Sequence, residues 1–279
     1  MSSILDVQKK YYSKLDLLDL ELLIAAVIHE PREFILAHPE FSINSRQRAR
    51  ISDLVKRRIK HEPLAYILGH REFFGLDFAV NKYTLIPRPE TELVVEKVLQ
   101  LKPKNKTIID VGTGSGNIII SLGKNMKEKN NNIAIDISKK ALKVARKNAL
   151  ANKVEKKIKF IQSDLFLKLD KKYFHNSIIV ANLPYLSSKI YSKTSLNVKK
   201  YEPRSALYSK NDGLDHYVKL FRQVKSAINH QSSIIIFLEF SPEQKNNLNK
   251  LIKKYFSETK PIFHKDLAGK WRICEFHFQ

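Results

Sequence analysis

Apolar and polar positions fall into three regimes along the chain. In residues 1–63, Leu15, Leu18, Leu22, Leu23, Ala26 and Val27 recur at helical spacing. Pro31 and its charged surroundings break the pattern. It resumes with Ile51, Leu54, Val55 and Ile59 on one face of a helix that Ser45 is placed to cap. No strand pattern precedes residue 66, so this stretch predicts a small all-α domain. Residues 64–92, "LAYILGHREFFGLDFAVNKYTLIPRPETE", are rich in aromatic and β-branched residues, with Gly69, Gly75 and an Asn81-Lys82 turn. They predict a β-hairpin linker ending in a rigid "IPRPE" segment, where Pro87 and Pro89 force an extended path.

Residues 93–279 alternate between the two periods. A helix over 93–101 leads to the strand "TIIDVG" and a helix over 117–124. "NIAIDI" precedes the helix "SKKALKVARKNALAN", and the strand "IKFIQSD" follows. Then come "SIIVAN", a helix over 212–229, "SIIIFLEF", a helix over 242–255, and paired strands around 260–265 and 271–278. Continuous apolar strands alternating with helices predict an α/β fold: a Rossmann-like, mostly parallel sheet covered by helices on both faces, closed by an antiparallel hairpin. The predicted organisation is an N-terminal helical domain (1–63), a hairpin linker (64–92) and a catalytic domain (93–279).

Composition narrows the picture in places. With 279 residues, 43% hydrophobic and 28% charged, the chain fits a globular protein of one large or two smaller domains. A single cysteine, Cys274, excludes an internal disulfide and a cysteine-based metal site. The first thirty residues lack a basic region followed by an apolar core, and no apolar run reaches membrane-spanning length. The expected location is the cytoplasm, with no membrane partner. The formal charge of +22 admits a polyanionic partner such as RNA or the ribosome. Lysines are scattered throughout, however, and Asn and Ile are abundant, as an AT-rich genome would write them. Charge alone therefore carries no function.

Candidate chemistry gathers at strand ends. "IIDVGTGSGNIII" runs from an apolar strand through Asp110 into Gly112, Thr113, Gly114, Ser115 and Gly116, then into a helix. Such glycines let the backbone approach a ligand, and the helix N-terminus behind them offers free N–H groups. Asp136 ends the next strand, about twenty residues after the last glycine; alone it reads as an N-cap for a helix over 138–150, and beside the glycine loop as the acid that binds ribose hydroxyls. Its loss is expected to weaken cofactor binding and leave the fold intact. Asp164, Leu165 and Phe166, in "QSDLF", end the third strand; the acid can accept from an adenine amino group, and Leu165 or Phe166 can cover the ring. "ANLPYL" ends the fourth. There the Asn182 side-chain oxygen and the Leu183 carbonyl, stiffened by Pro184, provide two acceptors, and Tyr185 adds a flat face. Two acceptors and a face make a seat for a planar NH2 group. In this seat Leu183 is expected to act through its backbone alone.

Together these residues resemble a class I S-adenosylmethionine-dependent N-methyltransferase. "PLAYILGHREFFGLDFAVNKYTLIPRPETELVVE", "DVGTGSG", "QSDLF", the Asn182–Tyr185 turn, "YEPRSALYSKNDGLDHY" and "KDLAGKWRI" resemble, in order, the release factor glutamine methyltransferase family. The resemblance implies an N-terminal helical substrate-recognition domain, a hairpin linker and a catalytic sheet. It implies S-adenosylmethionine as cofactor and peptide chain release factors as partners, methylated on the side-chain amide nitrogen (N5) of the glutamine in their Gly-Gly-Gln motif. Residues Gly112 to Gly116 would hold the methionine part of the cofactor, Asp136 the ribose and Leu165 the adenine edge. Asn182, also beside the cofactor, would seat the glutamine amide with Leu183, Pro184 and Tyr185. The family usually has proline where Leu183 stands and often an aromatic where Leu165 stands.

Two alternatives stand beside this reading. The same seat suits an exocyclic amine of rRNA or DNA, usually flipped from its stack. The spelling NLPY resembles ribosomal RNA adenine dimethyltransferases, although those place their extra helical domain after the sheet and this chain places it before. An inactive protein that only docks on release factors or ribosomes is the third, and the intact glycine loop with Asp136 and Asn182 speaks against it.

Overall fold

The computed structural model describes residues 2–228 and 232–278. They form two compact units: residues up to Gly69 together with Ser195–Tyr201, and His70–Thr194 together with the residues from Glu202 onward.

The first unit is helical. Helices α1 (Ile4–Tyr11), α2 (Leu17–Ile28), α3 (Arg32–Ala37), α4 (Ser45–Ile59) and α5 (Leu64–Leu68) surround a core that includes Ile4, Leu20, Ile24, Ile51, Val55 and Ile67. Two-residue strands β1 (Ser2–Ser3) and β2 (Ser42–Ile43) pair antiparallel, which the helical periodicity did not suggest. The cap of α4 is Asn44 rather than Ser45. Asn44 accepts from the Gln47 amide while the Gln47 side chain accepts from the Asn44 amide, a reciprocal pair that Ser45 has no means to match. Residues 64–68, expected in the hairpin, are helix, because Leu64, Ile67 and Leu68 join this core.

The second unit opens with the hairpin β3 (His70–Phe73) and β4 (Leu76–Ala79). Its turn is Phe74-Gly75, both at positive φ (52° and 68°), and Asn81-Lys82 forms the separate turn expected there, closed by the Thr84 amide donating to the Asn81 carbonyl at 3.0 Å. Phe73 and Phe78 bury themselves against the sheet's helical cover. After α6 (Glu92–Gln100) the sheet begins: β5 (Thr107–Val111), α7 (Asn117–Asn125), β6 (Asn131–Asp136), α8 (Lys139–Ala151), β7 (Ile158–Gln162) and β8 (Asn176–Ala181). Short helices α9 (Ser188–Ser192) and α10 (Leu196–Tyr201) follow, neither evident from periodicity. The second belongs to the first unit, where the Tyr201 hydroxyl donates to the Lys60 carbonyl at 2.8 Å. Then come α11 (Asp215–Ala227), β9 (Ser233–Glu239), α12 (Lys245–Tyr255), β10 (Ile262–Lys265) and β11 (Trp271–Phe278). The helix expected over 212–229 starts later, after a 3-10 turn at Asn211–Gly213, and residue 229 lies outside the described residues.

The seven strands lie in the order β10-β11-β9-β8-β5-β6-β7, with β11 antiparallel to both its neighbours and the rest parallel. One face is packed by α11 and α12 through Tyr217, Phe221, Leu248 and Ile252; the other by α6, α7 and α8 through Val95, Ile119, Leu122 and Ala149. Both faces are buried, which is why the inner strands read as unbroken apolar runs.

Register sets the functional edge. Val111 pairs with Ile135 on one side and Ala181 on the other, and Ala181 pairs with Leu238. The next residue of each strand therefore falls in one row: Gly112, Asp136, Asn182 and Glu239. The row crosses the point where the chain order reverses between β5 and β8, which is where open α/β sheets bind ligands.

Buried Asn148 of α8 ties the hairpin to this edge. Its Oδ1 accepts from the Ala79 amide at 2.9 Å, and its Nδ2 donates to the Ala79 carbonyl at 3.0 Å and the Ser115 carbonyl at 2.8 Å. Asn148→Ala would strand these groups. We expect it to lower unfolding free energy by roughly 2–4 kcal/mol, as buried unpaired polar groups do. A urea titration that found a loss under about 0.5 kcal/mol would show the clamp to be idle.

Candidate active site

The loop after β5 is braced from beneath. The Gly112 and Thr113 amides both donate to the Ile135 carbonyl (2.8 and 2.9 Å), and the Gly116 amide donates to the Thr113 carbonyl at 2.8 Å. Gly112, Gly114 and Gly116 all have positive φ. At Gly116 a Cβ would stand 2.7 Å from Ile120 Cδ1, so the turn into α7 needs glycine for space as well as conformation. Gly116, at the cap of α7, offers no side chain to the helix's first amides, of which that of Ile119 turns to Asp110.

Two aspartates support the loop. Burial pushes Asp110 up to about 7, while the Thr113 hydroxyl, donating at 2.6 Å, pulls the other way. Asp136 is held above the usual carboxylate range, again chiefly by burial. Its Oδ2 accepts from the Gly114 amide (2.9 Å) and its Oδ1 from the Ser138 amide (2.8 Å). The cap of α8 is Ser138 itself. Asp136 thus shapes the loop and the following turn as well as facing the cavity.

A cavity of about 270 Å³ lies over this edge. Of the sequence-predicted residues, Gly112, Thr113, Gly114, Ser115 and Asp136 form one part of its wall; Asp164, Leu165, Asn182, Leu183 and Pro184 form another. Leu165 is buried with φ at 49°, a left-handed conformation that costs a non-glycine residue roughly 1–2 kcal/mol. Gly116 and Tyr185 are not on the wall.

Tyr185 is turned inward. Its hydroxyl donates to Glu239 Oε1 at 3.0 Å, and burial, reinforced by that carboxylate, drives its pKa well above the ordinary tyrosine value. Glu239 is the largest omission from the sequence reading. It sits fully buried at the end of β9, where its Oε2 accepts from the Thr91 hydroxyl at 2.6 Å and from Asn182 Nδ2 at 2.9 Å. Asn182 Nδ2 also donates to Thr91 Oγ1 at 3.3 Å, and the Tyr217 hydroxyl donates to the Glu239 backbone carbonyl. Burial pushes the Glu239 carboxyl up to about 7, against the lowering effect of its Thr91 and Tyr185 donors. A lone acid ending the apolar run "SIIIFLE" was the available signal.

Leu183 is not idle. Its side chain is buried, and a Cβ on Gly112 would lie 2.9 Å from its Cδ2, so loop and turn interlock. Sequence reasoning also missed Arg88 and His216 on the cavity wall. Arg88 pairs with buried Glu202, whose other oxygen accepts from the Ile86 amide at 3.1 Å, which fastens "IPRPE" to "YEPR". His216 Nδ1 lies 2.9 Å from Ser209 Oγ, and burial holds its pKa below the ordinary value.

A methyltransferase domain model matches residues 102–262, and a PrmC N-terminal domain model matches residues 9–69. The release factor glutamine methyltransferase of Clostridium botulinum is 35% identical over 263 residues, covering 92% of this chain and 90% of that one. Its counterpart from Buchnera aphidicola is 36% identical, covering 91% and 88%. In fold, the chain is similar to the hMettl16 catalytic domain, solved with a MAT2A 3′UTR hairpin, at a TM-score of 0.58 and 16% identity, covering 91% and 90%.

A doubly covered sheet with a glycine loop, an acid on the next strand and a cavity at the switch point defines a class I methyltransferase that uses S-adenosylmethionine. The chain belongs to the release factor glutamine methyltransferase family. Its residues fit the cofactor. A Cβ on Gly114 would meet only the Gly112 carbonyl oxygen, at 3.9 Å, the α7 amides suit a carboxylate, and Asp136 keeps acceptor capacity for hydroxyls. Among the described residues, none form a metal-binding cluster and no helix is long and apolar enough to cross a membrane.

Gly213, at φ 88°, backs the Asn182–Tyr185 turn. A Cβ there would lie 2.0 Å from the Tyr185 carbonyl oxygen and 2.2 Å from Gln244 Nε2, which itself donates to that carbonyl at 2.8 Å. We expect Gly213→Ala to destabilise the protein by about 3 kcal/mol or more, since backbone must move. An unchanged thermal melt would show that the turn is freer than this packing implies.

Proposed function

We propose that this protein transfers a methyl group from S-adenosylmethionine to the side-chain amide nitrogen (N5) of the glutamine in the Gly-Gly-Gln motif of peptide chain release factors. The observation that carries the reading is the shared cavity: the glycine loop with Asp136, and the turn Asn182–Pro184, form walls of one space. Family membership supports the choice of glutamine over a nucleic-acid base.

When bound, S-adenosylmethionine supplies an electrophilic methyl group, so the protein's task is placement. In this reading Gly112, Thr113, Gly114 and Ser115 receive its methionine part, and Gly116, off the cavity wall, turns the chain behind them. Asp136 accepts from the ribose hydroxyls, and Asp164 and Leu165 border the adenine. Asn182 Oδ1 and the Leu183 carbonyl accept the two N–H groups of the glutamine amide, and Pro184 stiffens that seat. An amide nitrogen is a poor nucleophile because its lone pair is delocalised into the carbonyl. Holding both N–H groups fixes its direction, an effect of proximity and orientation. Tyr185 serves from behind, bracing the turn. The N-terminal helical residues, 1–63 in the sequence reading, provide a docking surface for a large protein partner. The surplus of positive charge suits passing contact with RNA or the ribosome, in the cytoplasm where release factors work.

The decisive test is methyl transfer with labelled cofactor to release factor or to rRNA. Label on the glutamine supports the proposal; label on rRNA alone replaces it with the nucleic-acid reading. Two substitutions separate the walls. Asp136→Ala should weaken cofactor binding by about 1.5–3 kcal/mol, as loss of charge-assisted bonds does, and lower the melting temperature through Gly114 and Ser138. Calorimetry that found unchanged affinity would remove Asp136 from the cofactor site. Asn182→Ala should slow single-turnover transfer at least about a hundredfold while cofactor affinity changes little. Equal loss of both would place Asn182 on the cofactor instead.

A further inference from the structure

A side-chain amide has two faces, and which one meets the substrate decides whether it accepts or donates. Asn182 is useful to an incoming N–H only if its oxygen points into the cavity. Nothing in Asn182 itself enforces this, because the two orientations have nearly the same shape. The enforcement lies behind it. Glu239 Oε2 stands 2.9 Å from Asn182 Nδ2, and Thr91 Oγ1 stands 3.3 Å from the same nitrogen. The Thr91 hydroxyl spends its own proton on Glu239 Oε2 at 2.6 Å, so toward Asn182 it offers only a lone pair. The Tyr185 hydroxyl spends its proton on Glu239 Oε1. A carboxylate has no proton to give. Asn182 thus meets two acceptors on its inner side, and both hydrogens of its Nδ2 are drawn inward.

We infer that Glu239 is a positioning residue that sets the orientation of the Asn182 amide, so that Oδ1 is presented to the substrate's N–H, and that protonation of Glu239 releases this orientation. The inference rests on the proposed glutamine substrate. A protonated Glu239 carries an O–H that can donate to Asn182 Oδ1. The amide then turns over and presents NH2 to the cavity, where the substrate's NH2 meets donor with donor. Transfer slows although no substrate-contacting atom has been removed.

The surroundings allow this titration near neutrality. Burial pushes Glu239 up to about 7. Glu90, from the segment before α6, raises it further, while Arg272 of β11 lowers it and is itself engaged by Asp266 at 2.8 Å. The Tyr185 and Tyr217 hydroxyls on the remaining sides are both held protonated well above the ordinary range, and Cys274, beside Tyr217, stays a thiol because burial raises it too. Glu239 is the group in this cluster that changes charge near 7. The sign follows: the carboxylate is the competent form, so transfer rises with pH through that value and levels off above it.

The test uses the full-length protein and Glu239→Gln, which keeps size and shape but can donate as well as accept. Single-turnover transfer to release factor at saturating cofactor should fall at least about tenfold, with cofactor affinity within about twofold of the parent. The parent's rate should climb with pH over about one unit either side of 7, and the variant should lose the part of that rise that Glu239 supplies, keeping only what Asp110 beneath the glycine loop contributes. A purely structural role for Glu239 would lower both profiles without changing their form. A second readout is release factor with glutamate in place of the target glutamine. The parent should bind the glutamine form more tightly at high pH, and that preference should shrink in the variant and in the parent at low pH, because an outward NH2 favours a carboxylate. A third needs no substrate: the Asn182 side-chain NH2 signals in 15N–1H spectra, assigned by their loss in Asn182→Asp, should shift with the same transition. Parent-like rate and pH profile in Glu239→Gln overturn the inference. So do Asn182 signals that ignore pH, and these decide the matter even if the variant does not fold. Absence of transfer to release factor by the parent, with Asn182 signals still tracking pH, would fault the substrate and leave the Glu239 device standing.

Discussion

Everything at the active edge depends on strands β5, β6, β8 and β9 running in one register. Parallel strands of this sheet are locked by ladder hydrogen bonds along their length, and side chains alternate faces with a period of two. A slip of one residue in β8 would send Asn182 to the opposite face from its neighbours and turn Ile179 and Ala181 out of their packing layer. The same phase that buries Ile109, Ile135 and Ala181 on one face thus delivers a glycine, an acid, an amide and a second acid to one line beyond the strands. Packing chooses the register, and chemistry inherits it.

The row is then held by polar contacts that are buried or partly buried. The glycine loop hangs from the Ile135 carbonyl of β6, Asp136 reaches back to the loop, and Glu239 gathers Thr91 from one segment and Asn182 and Tyr185 from another. Such a network is worth more than its separate bonds in a medium of low polarity, and it is correspondingly sensitive to any member left without a partner. Arg88 with Glu202, and Gln244 with Tyr185, extend the bracing to the segments that close the cavity. The site is stiff because its supports are short and enclosed.

Much of this was readable in the chain. The inner strands announce themselves because burial on both faces demands unbroken apolar runs, and "TIID" or "SIIVA" have no other economical reading. The glycine loop and Asp136 were legible from spacing, since the geometry of a tight turn after a strand admits few residues. What escaped was what depends on three dimensions. Glu239 looks like the end of a strand until register places it level with Asn182. Tyr185 offered a flat face in sequence, and only the buried carboxylate shows why it turns inward. Phe74 at positive φ had no local signature, since packing of Phe73 and Phe78 decides where that hairpin bends. Short α9 and α10 carry too few turns to show a period.

The helical unit draws its last piece, Ser195–Tyr201, from deep within the other unit's stretch of chain. This has a consequence for biosynthesis. Its apolar core uses residues only up to Ile67 among those buried, so it can begin to close soon after the first seventy residues leave the ribosome. It must then wait through the synthesis of β5, β6, β7 and β8 before Tyr201 arrives to meet the Lys60 carbonyl. During that interval the early helices are a nearly complete body lacking one clasp, while the first parallel strands lack their later neighbours. The helical unit is therefore complete once Tyr201 is made, while the sheet still awaits β9, β10 and β11.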